Sequence, residues 1–400
     1  MQKKNTKSAR QRSAFIKFTE RKLSDQEIRK MYRAMAMWLA GQQVRDKTHQ
    51  HYGCVWFPTE TRYCNRDTAC AALAYWRLFK TIGDKKFMAQ AKLARDYTLR
   101  IQEEDGGYAE LGRDNRRIDE GSIVNTGIVS DALIRAYRTG LPFNERDINA
   151  LERMADFELK LEWTPGGFYH DEGHIYRNSK MDCQNTTALA GMSLAHIYRF
   201  LKEQGRKPNE KWIEAAKRTI PRLIAGQDPT GQWPYRIGDI KNFPCDMNHH
   251  GMVMLFVGEL YRYFGEKKLL DTLVLGGEWL VEDALLHTEH GTKHDWAFQR
   301  SACLYFTWGY FMTAAALAQL AALDPANKEK WSGEARELLR YVRTDLWDNP
   351  NVADEGPFRL TEAGMAPGYA WHGQSMGWCT YEMDHVLSDL NIGFNGGKKS

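Results

Sequence analysis

No apolar run in this chain approaches the roughly 18 residues that a membrane span requires, and nothing near its start resembles the apolar core of a signal peptide. Neither a spanning nor a membrane-bound protein is expected. The location this implies is cytoplasmic, or periplasmic or secreted where an export leader has been removed. Cysteine is sparse and scattered: Cys54, Cys64, Cys70, Cys183, Cys245, Cys303 and Cys379 are an odd set with no CxxC pair. That pattern argues for reduced thiols, and against a disulfide framework or a cysteine-ligated zinc. Charge of one sign is also missing, since the net +4 is spread along the chain. The one basic run, Lys3 to Lys22, is poor in turn and core signals and reads as a tail (residues 1–23), not as a nucleic-acid arm. The Gly pairs starting at Gly106 and Gly166 fit neither a GxGxxG nor a P-loop frame, so phosphate cradles are not expected.

What the chain does have is 43% hydrophobic side chains and a surplus of aromatics, with 13 Trp, 18 Tyr and 17 Phe. The first permits a large core; the second suits a cleft for flat, ring-shaped ligands as well as packing. Length alone allows one to three domains.

Helical periodicity dominates and comes in pairs separated by Gly-rich breaks. Ser24 caps a helix reaching about Val44, with Ile28, Met31, Tyr32, Met35 and Leu39 on one face. A second runs from about Asp67 to Gly83 and a third from about Asp84 to Gln102. From there the pattern recurs about every 60 residues. Helices starting near Gly121, Met181, Asp246, Phe298 and His372 are apolar around most of their circumference, which marks burial on all sides. Between them lie amphipathic helices, near Asn144–Leu161, Asn209–Ala225, Lys267–Leu286 and Asn327–Leu346. The connection after each buried helix is short. After each amphipathic one it is long and carries glycine with aromatics, as in Gly106-Gly107-Tyr108 or Gly231-Gln232-Trp233. Antiparallel pairing therefore gathers the long loops, with the first turns of the buried helices, on one face. The expected fold is all-α: one domain over residues 24–390, two concentric layers of six helix pairs, followed by a C-terminal tail over 391–400.

This pattern resembles the (α/α)6 toroid superfamily, whose members include glucanases, unsaturated uronyl hydrolases, uronate polysaccharide lyases and N-acylglucosamine 2-epimerases. The resemblance covers about residues 24 to 390 in pattern; activity has to be read from the site.

The long-loop face collects the candidate chemistry. The sharpest local signal is Cys245-Asp246-Met247-Asn248-His249-His250-Gly251, and an Asn-His element at the start of an inner helix is similar to that of the alginate and heparin type of uronate lyase. The chemistry that resemblance implies is elimination. Asn248 and Arg236 would neutralise a uronate carboxylate, His249 or His250 would take the proton alpha to it, and Tyr235 would protonate the leaving oxygen. Adjacent histidines point about 100 degrees apart on a helix, so one of the two is expected to face the cleft. A hydrolase would instead use two carboxylates, with Asp67, Glu110, Glu120, Asp171, Asp182, Asp246 and Asp295 as candidates. Asp182 could also protonate an unsaturated uronyl ring, and an epimerase would pair histidines such as His250 and His372. Polar substrate contacts are expected from Arg66, Asp67, Glu120, Asn125, Asn185, Arg300 and His372, and aromatic ones from Trp56, Tyr63, Tyr108, Tyr169, Trp233, Trp296, Trp371 and Trp378. First-turn acids such as Asp67, Asp182 and Asp246 suit helix capping equally well.

No metal or other cofactor is expected. His287, His290 and His294 have the spacing of one helix side, but Gly291 interrupts it. The expected partner is an oligo- or polysaccharide, with no nucleic acid or membrane; the oligomeric state is open. Terpene cyclases share Gln-Trp repeat elements with Gly231-Gln232-Trp233, but the Asp-rich diphosphate motifs are absent. A glycan-binding protein without catalysis is the remaining alternative.

Overall fold

A computed structural model describes residues 23–55, 62–63, 65–109, 111–112, 120–173, 183–235, 247–288, 291–294, 307–347 and 376–394. Among them are twelve α-helices: α1 (Asp25–Gln42), α2 (Asn65–Ile82), α3 (Lys85–Arg100), α4 (Ile123–Arg138), α5 (Glu145–Lys160), α6 (Gln184–Glu203), α7 (Glu210–Gly226), α8 (Met247–Phe264), α9 (Lys267–Trp279), α10 (Thr307–Leu323), α11 (Lys328–Tyr341) and α12 (Met376–Asp389). The even-numbered helices form an inner ring. Each packs on the next, and α12 packs back on α2, closing the circle. The odd-numbered helices lie outside this ring, with α1 seated between α12 and α2.

Sequence accounts for which helix goes where. The outer helices begin with capping devices and carry an apolar stripe on one side. Ser24 and Glu27 form a reciprocal capping box at α1, and Asn144 and Asp147 form another at α5. In α5 the buried set Ile148, Leu151, Met154, Ala155 recurs at helical spacing. In α6 nearly every residue from Gln184 to Leu201 is buried, because neighbours enclose the helix on all sides.

The long loops are fastened by a repeated glycine device. Gly106 (φ 99°) lies so close to the carbonyl of Arg153 on α5 that a Cβ could not fit, and Gly166 (φ 73°) stands in the same way against Arg218 on α7. Gln102 completes the first case, its amide donating both to the Gly106 carbonyl (3.0 Å) and to Ala150 of α5 (2.9 Å).

Two expectations change. The helix predicted over Lys267–Leu286 ends at Trp279, widens into a π turn over Leu280–Ala284, and becomes strand β5 (Leu285–Thr288), paired with β6 (Gly291–His294). Leu285 and Leu286 continue the apolar composition past the end of the helix, so apolar content did not mark the exit. His287 and His294 therefore stand on a hairpin and not on one side of a helix, while His290 lies outside the described residues. The last outer helix likewise gives way to a π turn at Val342–Leu346. Strands are otherwise minimal: β1 (Arg62–Tyr63) with β2 (Leu111–Gly112), and β3 (Glu162–Thr164) with β4 (Gly167–Phe168). After α12 the chain packs back: Phe394 meets Tyr32 edge-on at 5.4 Å, and Arg29 donates to the Ile392 carbonyl.

Candidate functional site

The first turns of the inner helices open on the long-loop face and form the mouth of the ring. On one side stands Arg66. Its guanidinium donates to Asn125 Oδ1 across to α4 (3.1 Å) and lies 4.8 Å from the centre of the Trp378 ring on α12. This contact joins a cation, an amide and an indole from three helices at one level. On the other side, the loop before α8 brings Tyr235 against His249, ring centres 4.5 Å apart. Both side chains are partly exposed. Gln184, the first residue of α6, donates its backbone N–H to the Tyr235 carbonyl (3.2 Å) and so ties this loop to the ring.

Carboxylates gather over the α4 and α5 ends. Asp171 sits 2.9 Å from His170, and its backbone bridges Ser122 at the cap of α4. Glu172 receives Lys160 at 2.9 Å, and half-buried Glu120 adjoins this group in sequence. Partly buried Tyr169 packs against Trp163, ring centres 5.9 Å apart.

Several expected site residues turn out to be structural. His250 is completely buried: its Nδ1 accepts from the Trp233 N–H (3.0 Å) while its Nε2 faces the Gly276 carbonyl (3.2 Å). Burial pushes its pKa down to about 3, so it is a neutral staple between loop and helices and not the cleft histidine. The 100 degrees between neighbours on a helix decide the matter: His249 faces the mouth and His250 the interior. Trp233 is 1% exposed and donates to Leu223, and Tyr108 is fully buried with its hydroxyl on Thr98. Neither is a platform for a sugar ring. Asp67 is also fully buried and accepts the Trp378 N–H (3.1 Å), capping α12 from a neighbouring helix. Trp56, Asp182, Arg236, Asp246, Trp296, Arg300, Trp371 and His372 lie outside the described residues, as do Glu110 and Asp295. Of Tyr63 and Asn248 only the backbone is described.

The main feature that sequence reading missed lies deeper. Further along the inner helices the ring is floored by a polar layer. His196 on α6 donates to Asp131 on α4 (2.6 Å) and lies 3.5 Å from Glu259 on α8. Glu259 also receives Gln319 of α10 (2.7 Å), and Asp131 receives the Tyr381 hydroxyl of α12 (2.7 Å). Asp384 holds Arg77 of α2 and Arg135 of α4, each at 2.7 Å. Every inner helix contributes. Burial opposes the charge on His196, but Asp131 and Glu259 outweigh it and hold its pKa up to about 9. Burial alone would raise Asp131; His196 and Arg135 bring it well below the usual carboxylate range. His385, squeezed by burial and by Arg135, is pushed down to about 3 and stays neutral. The signal was present in sequence as charged residues midway along mostly apolar helices.

Comparison with family models and with curated proteins finds no match. Solved structures do match over nearly the whole ring. A sugar epimerase from a ruminal bacterium aligns with TM-score 0.67 at 12% identity, covering 92% of this chain and 99% of the other. An unsaturated glucuronyl hydrolase specific for heparin gives 0.64 at 13%, covering 92% and 100%. An inactive variant of an α-1,6-mannanase of Salegentibacter, in complex with mannotriose, gives 0.61 at 14%, covering 90% and 99%. With its closed double ring of six helix pairs, the chain has the (α/α)6 toroid fold that these carbohydrate-processing enzymes share.

Proposed function

We propose that the chain is a carbohydrate-active enzyme that moves a proton at a carbon of a sugar ring, with Tyr235 and His249 at the reacting centre. The observation that carries this reading is their 4.5 Å ring contact at the mouth. A phenol and an imidazole side by side supply an acid and a base for carbon-proton abstraction and leaving-group protonation. The form of this chemistry we favour is β-elimination in a uronic-acid-containing glycan. There His249 removes the proton alpha to the carboxylate, Asn248 and Arg236 neutralise the carboxylate, and Tyr235 protonates the departing glycosidic oxygen. Breaking that C–H bond and delivering a proton to the opposite face of the same carbon, with the glycosidic bond left intact, would make the same site an epimerase.

Hydrolysis is the second reading, favoured by the similarity to a glucuronyl hydrolase and to a mannanase whose inactive variant replaces two consecutive aspartates. Consecutive acids occur in sequence at Asp119-Glu120 and Asp171-Glu172, and Glu120 lies two residues before Ser122, whose backbone bridges Asp171.

Mixing the protein with a panel of uronate glycans while recording ultraviolet absorbance separates the readings, because elimination creates a conjugated double bond. A rise in absorbance that is lost in His249→Ala and Asn248→Ala supports elimination. New reducing ends without that rise, lost in Glu120→Gln or Asp171→Asn, establish hydrolysis in its place.

A further inference from the structure

The chain uses the same pair of residues, Asn-Thr, at the start of two neighbouring inner helices: Asn125-Thr126 in α4 and Asn185-Thr186 in α6. In α4 both are engaged. Asn125 receives Arg66 and reaches the Tyr108 carbonyl, Thr126 Oγ1 accepts the Tyr108 N–H (3.3 Å), and Ser122 caps the helix. In α6 they are not. Cys183 gives no side-chain cap, and among the described residues neither the Thr186 hydroxyl nor Asn185 Oδ1 has a hydrogen-bond partner. Asn185 is 2% exposed, and its amide nitrogen donates to the thioether of Met252 (3.5 Å). A buried amide oxygen without a donor is costly, and natural cores rarely keep one.

Its direction suggests what it is for. Asn185 shares a helical stripe with His196, which lines the axis of the ring between α4 and α8. Met252 stands one turn beyond His249 on α8, and Gln184 next to Asn185 holds the backbone of Tyr235. Gln184, by contrast, packs outward against Gly226 of α7. The vacant acceptor is thus about one helical turn below the Tyr235–His249 pair.

We infer that Asn185 is a substrate-binding residue whose amide oxygen accepts a hydrogen bond from a hydroxyl group of the sugar. This rests on the carbohydrate reading above and narrows it. A carboxylate has no proton to give an amide oxygen, so the part of the substrate lying against α6 is a neutral, hydroxyl-bearing part of the ring.

The test compares wild type with Asn185→Leu, which fills the same space without polar atoms. Binding of methyl D-glucopyranoside, methyl D-mannopyranoside and D-glucuronate is measured by calorimetry, alongside thermal melting. The expected result is tenfold or greater loss of affinity for the saccharide that wild type binds best, with a melting temperature unchanged or raised by about 1–3 °C, because an apolar isostere removes an unsatisfied group. A lowered melting temperature with unaltered affinity overturns the assignment and makes Asn185 a structural residue, leaving the carbohydrate reading intact. If wild type neither binds these sugars nor acts on the glycan panel, the carbohydrate reading falls and this inference with it.

Discussion

The mouth and the floor of the ring are built on the same six helices, at successive levels along their axes, and they treat polar groups in opposite ways. On the floor, Arg77, Arg135, Arg262 and protonated His196 face Asp131, Glu259, Asp384 and Asp389, so that charge is matched within the layer. The Nε2 of His385, 4.0 Å from Asp131, is one buried floor atom without a hydrogen-bond partner among the described residues. At the mouth, Tyr235 and His249 are partly exposed, and Asn185 keeps an unsatisfied oxygen. A closed network stabilises and fixes the register of six helices; an open one leaves interaction free energy for something that arrives later. Mutations in the two layers should therefore separate stability from activity.

The largest effect is expected on the floor. Asp384→Ala leaves two guanidinium groups, each less than a fifth exposed, without their carboxylate, and should lower stability by about 3–5 kcal/mol in urea titration. Next, His250→Ala removes the staple between the loop and α9 and should cost about 2 kcal/mol; loss of activity in this variant should follow loss of fold. If it instead stays fully folded and is inactive, the assignment of His250 as structural is wrong. At the mouth the sign reverses: Tyr235→Phe and His249→Ala should each cut turnover by about 100-fold or more with little change in melting temperature.

The pH dependence offers a subtler separation. His196 has its pKa raised in the folded state to about 9 from 6.5. Its contribution to stability is therefore complete below the unfolded value and is lost as pH rises through about 9. Melting curves of wild type and His196→Gln should converge above that pH; a gap that widens there would contradict the floor as drawn. The smallest expected effect is at a helix end, where Ser122→Ala removes the α4 cap at a cost of about 1 kcal/mol.

The ring itself was legible in sequence because its causes are local. Ser24 and Asn144 cap, the Ile28–Leu39 stripe alternates with all-round apolar helices, and glycines such as Gly106 mark each long loop. The site was legible only in part, since knowing that a residue opens an inner helix does not say which way it points. His249 and His250 are neighbours in sequence and face opposite environments. Tyr108 and Trp233 belong to aromatic loops but fill the space beneath them, and Asp67 serves a helix 311 residues away. The floor was missed for a related reason. Asp131, His196 and Glu259 sit on three different helices, and only closure of the ring makes them a network.

The most direct test of the account is a double-mutant cycle on Tyr235→Phe and His249→Ala, measuring turnover of the glycan on which wild type acts. If the two side chains work as one acid–base unit, the double variant should be scarcely slower than the slower single one. If the two losses multiply, Tyr235 and His249 act independently, and the mouth of the ring does not hold the reacting pair described here.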